Sequence, residues 1–88
     1  MSNPAFTLSV KRSAQKEVRA LDTGVRVRVV QAIRDLESDP RPAGCRKLFS
    51  SENRWRICVG DYRIIYTIDD AGRVLEIIAV RHRSKAYE

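Results

Sequence analysis

The segment 55–66 reads WRICVGDYRIIY, and it decides the fold of this chain. Apolar residues alternate with arginines on both sides of the Gly60-Asp61 pair. Period-two alternation around such a pair is a strong signal for two antiparallel strands joined by a tight turn. The sequence therefore predicts a β-hairpin with strands at Arg54–Val59 and Tyr62–Asp69, one face apolar and the other cationic.

A two-residue turn fixes which side chains oppose each other across the hairpin. The expected apolar pairs are Val59 with Tyr62, Ile57 with Ile64, and Trp55 with Tyr66, so the aromatic residues are predicted to lie in the core. The reverse face pairs Cys58 with Arg63, Arg56 with Ile65, and Arg54 with Thr67. Arg56 and Arg63 become diagonal neighbours about 7 to 8 Å apart at Cα. Two guanidinium groups at that spacing can bind one phosphate. An equal alternative is that these arginines only point outward into solvent and bind nothing.

The length and composition predict a single folded domain spanning residues 1–88. Apolar residues make up 43% of the 88, and charged residues 32%, which is typical of a globular chain and not of a disordered one. Thirteen Arg and four Lys give the 17 cations that stand against 11 acids, for a net charge of +6. This arginine-rich excess favours nucleic acid or an acidic protein as partner, and a merely basic soluble surface is the alternative.

No cofactor or metal site is predicted. Cys45 and Cys58 lack a Cys-x-x-Cys spacing, and His82 is the single histidine, so no zinc tetrad can be assembled. The first ten residues show no charged leader before an apolar run, and no segment has the length of a membrane span. We expect a cytoplasmic protein with reduced thiols.

The remaining elements follow from changes in hydrophobic period. Segment 25–36 is ambiguous because it alternates like a strand and repeats like a helix, but its length and the following Pro40 favour a helix capped by Asp22 or Thr23. The other predicted elements are a strand at Ala5–Val10, a helix at Lys11–Leu21, a brief strand at Lys47–Phe49 and an inner strand at Arg73–Val80. The expected fold class is α+β: an N-terminal strand, a two-helix hairpin, then a three- to four-stranded, largely antiparallel sheet with helices on one face. The other sheet face is expected to be open to a ligand.

Segment 55–66, followed by an apolar strand that ends in Val-x-His-Arg-x-x-x-Tyr, resembles the RelE/ParE superfamily of toxins from type II toxin-antitoxin systems, and the RelE branch more closely. The resemblance covers nearly the whole chain. It implies a RelE-like fold and a ribosome-dependent mRNA endoribonuclease, or mRNA interferase. Such an enzyme cuts mRNA in the ribosomal A site by attack of the 2′-hydroxyl, without a metal, and thereby inhibits translation and arrests growth.

The resemblance also implies roles for individual residues. Arg63 occupies the position of the phosphate-binding arginine, Arg83 that of the arginine near the leaving group, and Tyr87 that of the tyrosine that orients the substrate. Arg56 and Cys58 stand where well-known members carry two catalytic lysines. Further substrate contacts are expected from Arg54, Lys47, Arg81 and Lys85.

The replaced lysines leave the proton transfer unassigned. Arg56 can stabilise the charge of the crowded phosphate, but a guanidinium that stays protonated is a poor general base. His82, Tyr87 or a nucleotide of the ribosome are the candidates for this role, and an ordinary surface histidine is the alternative for His82.

Two other functions remain open. A ParE-like toxin inhibits DNA gyrase by binding and needs no proton-transfer group. A degenerate toxin retains only antitoxin binding and operator corepression. All three possibilities imply a cognate antitoxin, expected to be acidic and to fold on the basic toxin within a toxin-antitoxin hetero-oligomer.

Overall fold

The computed structural model describes residues 5–48 and 53–86, which form two helices and five strands. In chain order these elements are β1 (Thr7–Val10), α1 (Arg12–Arg19), α2 (Thr23–Asp35), β2 (Arg46–Lys47), β3 (Arg54–Val59), β4 (Tyr62–Asp69) and β5 (Val74–His82). The strands form one sheet in the order β1-β5-β4-β3-β2. β1 runs parallel to β5, and the other neighbours are antiparallel. The α+β class is confirmed, and β5 is an inner strand as its apolar run predicts.

The hairpin of β3 and β4 has the register that the two-residue turn predicts. All the expected pairs are present, from Val59 opposite Tyr62 to Arg54 opposite Thr67. Gly60 has a φ of +57°, a left-handed value that glycine adopts at little cost. A positive φ at the first central residue alone is the pattern of a type II′ turn, which matches the twist of the flanking strands.

Several element boundaries differ from those the sequence predicts. α1 begins at Arg12 because Lys11 keeps extended backbone angles and donates its N–H to the carbonyl of Ile77 at 3.0 Å. It ends at Arg19, short of Leu21. α2 begins at Thr23, with Asp22 as an N-cap whose side chain makes no capping hydrogen bond.

The strand boundaries shift as well. β1 starts at Thr7, two residues after Ala5, and β5 continues through His82 beyond the expected end at Val80. β2 comprises Arg46–Lys47 in place of 47–49, and Phe49 lies outside the described residues.

A β-bulge in β5 sets the faces of the residues that follow it. Ile65 opposes Ala79, whereas the next residue, Tyr66, opposes Ile77, which leaves Ile78 without a partner. The extra residue shifts the alternation by one position. Val80 therefore returns to the core, and Arg81 comes to lie opposite Arg63.

The core lies between the sheet and the two helices. α1 packs on β5 and α2 on β3. Trp55 and Tyr62 pack against the core and Tyr66 is fully buried in it, which confirms that the hairpin aromatics point inward. The other sheet face is only partly open, because Ile65 and Ala79 are buried there. Neither helix in the described part of the chain is long and apolar enough to span a membrane.

The connection between α2 and β2 is fastened to the sheet by polar contacts. The Tyr66 hydroxyl donates a 2.7 Å hydrogen bond to the carbonyl of Pro40, and burial raises the pKa of Tyr66 well above its ordinary value. Arg41 lies 4.8 Å from the centre of the Trp55 ring and forms two hydrogen bonds, of 2.9 and 3.1 Å, with Asp70. This ion pair raises the pKa of Arg41 and lowers that of Asp70. These contacts hold the connection beside β3 and β4.

Candidate nucleic-acid interface

The sheet face turned away from the helices carries a group of arginines from four strands. Alternation along β3 and β4 turns Ile57 and Ile64 into the core, so their neighbours Arg56 and Arg63 take the opposite face. The register adds residues that oppose these two arginines across neighbouring strands. We name the following set the outer arginine face: Arg46, Arg54, Arg56, Arg63 and Arg81.

Most of this positive charge has no carboxylate partner in the described part of the chain. The ion pairs in residues 5–48 and 53–86 join Arg41 to Asp70, Arg81 to Glu17, and Arg83 to Asp61. None of them involves Arg46, Arg54, Arg56 or Arg63. Like charges opposite one another in a sheet destabilise it unless an anion relieves them. The outer arginine face is therefore suited to a polyanion.

Arg56 and Arg63 are held by neutral acceptors. Arg63 Nη1 donates to the carbonyls of Gly60 and Tyr62, each at 3.2 Å. Arg56 Nη1 lies 2.7 Å from the Sγ of Cys58, and sulfur is a weak acceptor. A phosphate adds a full negative charge and can accept two parallel N–H bonds from one guanidinium, which a single carbonyl or sulfur acceptor cannot do. A phosphate can therefore replace these contacts, and Cys58 acts here as a neutral partner for Arg56.

The segment after β5 brings Arg83 to the hairpin turn. Its backbone N–H donates a 2.7 Å hydrogen bond to the carbonyl of Asp61, and its Nε lies 3.9 Å from Asp61 Oδ1. Both side chains remain largely exposed, so this pair is a weak restraint. Arg83 thus lies at the hairpin turn, where Arg63 donates to the carbonyl of Gly60, while Tyr87 lies outside the described residues.

His82 lies on the opposite side of the sheet from Arg63. It opposes Tyr62, and the two rings meet edge to face with centroids 5.5 Å apart. The backbone N–H of Ser84 donates to Nδ1 at 3.2 Å. Because a backbone N–H can only donate, this bond places the ring proton of neutral His82 on Nε2. The bulge thus separates His82 from the outer arginine face.

Two lysines predicted as substrate contacts also lie elsewhere. Lys47 opposes Trp55, and its Nζ lies 5.9 Å from the centre of that ring, on the side of the sheet that the helices cover. Lys85 lines a cleft together with Tyr62, His82, Arg81 and Glu17 of α1. The predicted site residues therefore lie in separate places. The outer arginine face holds Arg54, Arg56, Arg63 and Arg81, and Arg83 lies at its end. Lys47 and Lys85 lie outside this face.

Three residues in or near the site are not predicted from the sequence. Arg46 belongs to the outer arginine face because β2 pairs with β3, a register that a two-residue strand does not reveal. Arg28 of α2 approaches the hairpin, since a Cβ built on Gly60 would lie 3.5 Å from its Nη2. Glu17 contacts β5 across more than sixty residues of sequence, and no local pattern signals such a contact.

The described residues contain no cluster of three or more side chains suited to hold a metal ion. The outer arginine face itself offers electrostatic chemistry, since guanidinium groups can bind phosphates and stabilise charge that develops on them.

Two helices on one side of a five-stranded, mostly antiparallel sheet define the class of fold, which is that of RelE toxins. A model of the family described as the ParE toxin of type II toxin-antitoxin systems, parDE, matches residues 8–87. The chain belongs to this family, and hence to the RelE/ParE superfamily of type II toxins.

Solved structures of similar proteins agree with this assignment. The chain is 27% identical to the toxin in the intact RelBE toxin-antitoxin complex of Escherichia coli, with 89% of this chain and 96% of that one covered and a TM-score of 0.77. A RelBE complex of Mycobacterium tuberculosis gives 26% identity, 90% and 99% coverage and a TM-score of 0.77. The archaeal RelE-RelB complex of Pyrococcus horikoshii shares the fold, with a TM-score of 0.81, 23% identity, and 93% and 99% coverage. No curated protein matches the sequence significantly.

Proposed function

We propose that this toxin is a ribosome-dependent mRNA endoribonuclease that inhibits translation. The observation that carries the proposal is the outer arginine face, where Arg54, Arg56 and Arg63 share one side of the hairpin with no carboxylate partner in the described ranges. A face of this kind suits the phosphate backbone of a single RNA strand. The similarity to RelE toxins that are 25 to 27% identical supports the same assignment.

The proposed reaction is attack of a ribose 2′-hydroxyl on the adjacent phosphorus. The O2′–P bond forms, the P–O5′ bond breaks, one proton leaves the 2′-hydroxyl and another reaches the departing 5′-oxygen. Arg56 and Arg63 stabilise the extra charge on the crowded phosphate, and Arg83 lies near the leaving oxygen. His82 is on the other side of the sheet, so we assign proton transfer to Tyr87 or to a nucleotide of the ribosome.

We further propose a cognate antitoxin as the physiological partner. The similar Escherichia coli and Mycobacterium tuberculosis structures are toxin-antitoxin complexes. An acidic segment that folds on this toxin would complement its net charge of +6 in a hetero-oligomer. Both partners would act in the cytoplasm, where translated mRNA is found.

Primer extension on translated mRNA during brief induction tests the proposal. We expect new 5′ ends within codons with the wild-type toxin, and about 100-fold less cleavage with Arg63→Ala if this arginine stabilises the transition state. Arg34→Ala is the matched control, because Arg34 is exposed on α2 and makes no side-chain hydrogen bond in the described structure. Growth arrest with uncut mRNA would refute the proposal.

Inhibition of DNA gyrase is the second candidate function. One observation and one consequence of the resemblance favour it: the matching family model bears the ParE name, and the resemblance to RelE implies that Arg56 and Cys58 stand where RelE members carry catalytic lysines. Inhibition of gyrase supercoiling by the purified protein, with mRNA left intact, would establish this function in place of RNA cleavage. Induced expression with neither effect and no growth defect would identify a degenerate toxin.

A further inference from the structure

Glu17 of α1 holds the free edge of β5 by two hydrogen bonds. Its Oε1 accepts the backbone N–H of Val80 at 3.0 Å, and its Oε2 accepts the Nε–H of Arg81 at 3.1 Å. β1 pairs with β5 only as far as Ile77, so no strand of the described residues lies beside this edge beyond Ile77. The carboxylate thus binds β5 at the position where strand pairing has ended.

The contact leaves the Nη groups of Arg81 available. Glu17 binds only the Nε of Arg81, and no hydrogen bond in the described residues involves its Nη atoms. The Arg41–Asp70 pair differs, since the two Nη atoms of Arg41 bind the two carboxylate oxygens of Asp70. The second oxygen of Glu17 accepts the N–H of Val80, and the two residues form no such two-point contact. Two free Nη groups suit a phosphate oxygen pair.

The low exposure of Glu17 restricts the motion of the Glu17–Arg81 ion pair. The side chain of Glu17 is 30% exposed, against 63% for Asp70 and 67% for Asp61 in the other two ion pairs of the described chain. Arg81 itself is 43% exposed and lies opposite Arg63 in the register. Its guanidinium is thus fixed at one end and accessible at the other, at the β5 edge between the outer arginine face and the cleft that Arg81 lines with His82 and Lys85.

We infer that Glu17 is a positioning residue that holds Arg81 for an RNA phosphate bound to the outer arginine face. This inference rests on the proposed function and deepens it. It predicts that removal of the Glu17 carboxylate weakens RNA binding, whereas the change in net charge alone would strengthen it. Removing a carboxylate raises the net charge and by itself strengthens binding to a polyanion. Loss of positioning weakens that binding, because the freed Arg81 must be ordered again when the phosphate binds.

The substitution Glu17→Gln distinguishes a role in positioning Arg81 from a role in folding. The glutamine oxygen can still accept the N–H of Val80, but the amide NH₂ cannot accept a hydrogen bond from Arg81. Asp22→Asn is the matched control: it changes the charge by the same amount, and the exposed side chain of Asp22 makes no capping hydrogen bond. Fluorescence anisotropy with a single-stranded RNA oligonucleotide measures affinity, and ¹⁵N NMR of the arginine Nε–H groups reports directly on Arg81.

We expect Glu17→Gln to bind the oligonucleotide about 10-fold more weakly than wild type, and Asp22→Asn to bind at least as tightly as wild type. In an Arg81→Ala background the effect of Glu17→Gln should fall below about 2-fold. The Arg81 Nε–H signal should be protected from exchange in wild type and lose that protection in Glu17→Gln.

Glu17→Gln binding as tightly as Asp22→Asn would overturn the inference, as would an equal loss of affinity in the Arg81→Ala background. A wild-type Arg81 signal that exchanges like those of exposed arginines would overturn it as well. Neither measurement requires cleavage. A toxin that shows the expected pattern and leaves translated mRNA intact would refute the proposed endoribonuclease while the positioning role stands.

Discussion

Tyr66 shows how one buried hydroxyl connects the core to an adjacent loop. Its side chain is fully buried, and its hydroxyl binds the carbonyl of Pro40. Alternation in the hairpin places this residue in the core, but the sequence gives no indication of its partner, because Pro40 is distant along the chain. Burial raises the pKa of Tyr66, and the charge of nearby Arg41 opposes this effect only in part.

Alkaline pH should therefore reduce stability through Tyr66. The folded protein keeps the neutral phenol above the ordinary tyrosine value of about pH 10, where the unfolded chain releases its proton. The stabilisation is complete below that pH and is lost as the pH rises, by at most about 1.4 kcal/mol per pH unit. Tyr66→Phe should cost about 1 kcal/mol at pH 8 for the lost hydrogen bond, and less as the pH rises above 10.

Urea unfolding of the two proteins at pH 8, 10 and 11 measures this difference. The other tyrosines and the lysines are present in both proteins, so their titration cancels. A difference in unfolding free energy that is the same at all three pH values would contradict the assigned burial effect.

At the scale of elements, local signals were sufficient for the hairpin but not for the site around it. The register of β3 and β4 follows from a two-residue turn and the period of the flanking strands, which are short-range properties. The bulge at Ile78 has no sequence signal, since its neighbours are all apolar. The bulge nevertheless decides that Arg81 shares the face of Arg63 and that His82 does not. Candidate residues after Ile78 could thus be named from the sequence without being assigned to a face.

The turn itself can be tested by replacing its glycine. Gly60→Ala should reduce the unfolding free energy by about 1 kcal/mol, because alanine at a φ of +57° is strained. The nearest atom to the added Cβ is Arg28 Nη2 at 3.5 Å, an ordinary contact, so no clash should add to this cost.

Gly24→Ala is the matched control. Gly24 lies in the first turn of α2 with nothing within 4 Å of a built Cβ, so alanine should stabilise the protein by up to about 1 kcal/mol. Thermal or urea unfolding compares the two variants. An equal effect of the same sign at both positions would show that the turn conformation is not the cause.

At the scale of the whole molecule, the sheet separates a core side from a cationic side. Composition predicts a basic protein, but only the sheet order shows where the charge is gathered, because β2 adds Arg46 beside β3 and the bulge brings Arg81 beside β4. Five of the thirteen arginines thus lie on one side of the sheet, and the helices carry further Lys and Arg residues on the other.

This arrangement should appear in the salt dependence of RNA binding. For single strands the slope of log affinity against log salt is about −0.7 per neutralised phosphate. Arg56→Gln should make the slope shallower by about 0.7, because one phosphate contact is lost. Arg34→Gln on α2 should leave it unchanged. Equal changes for both variants, measured by anisotropy with one oligonucleotide, would show that binding depends on net charge alone.

The most direct test of the central claim is cleavage of mRNA on purified ribosomes programmed with a codon in an open A site. We expect wild-type toxin and Arg34→Ala to cut the message at that codon, and Arg63→Ala to cut about 100-fold more slowly while remaining folded. Uncut message with the wild-type toxin, or equal cleavage by Arg63→Ala, would contradict the assignment of the outer arginine face to RNA cleavage.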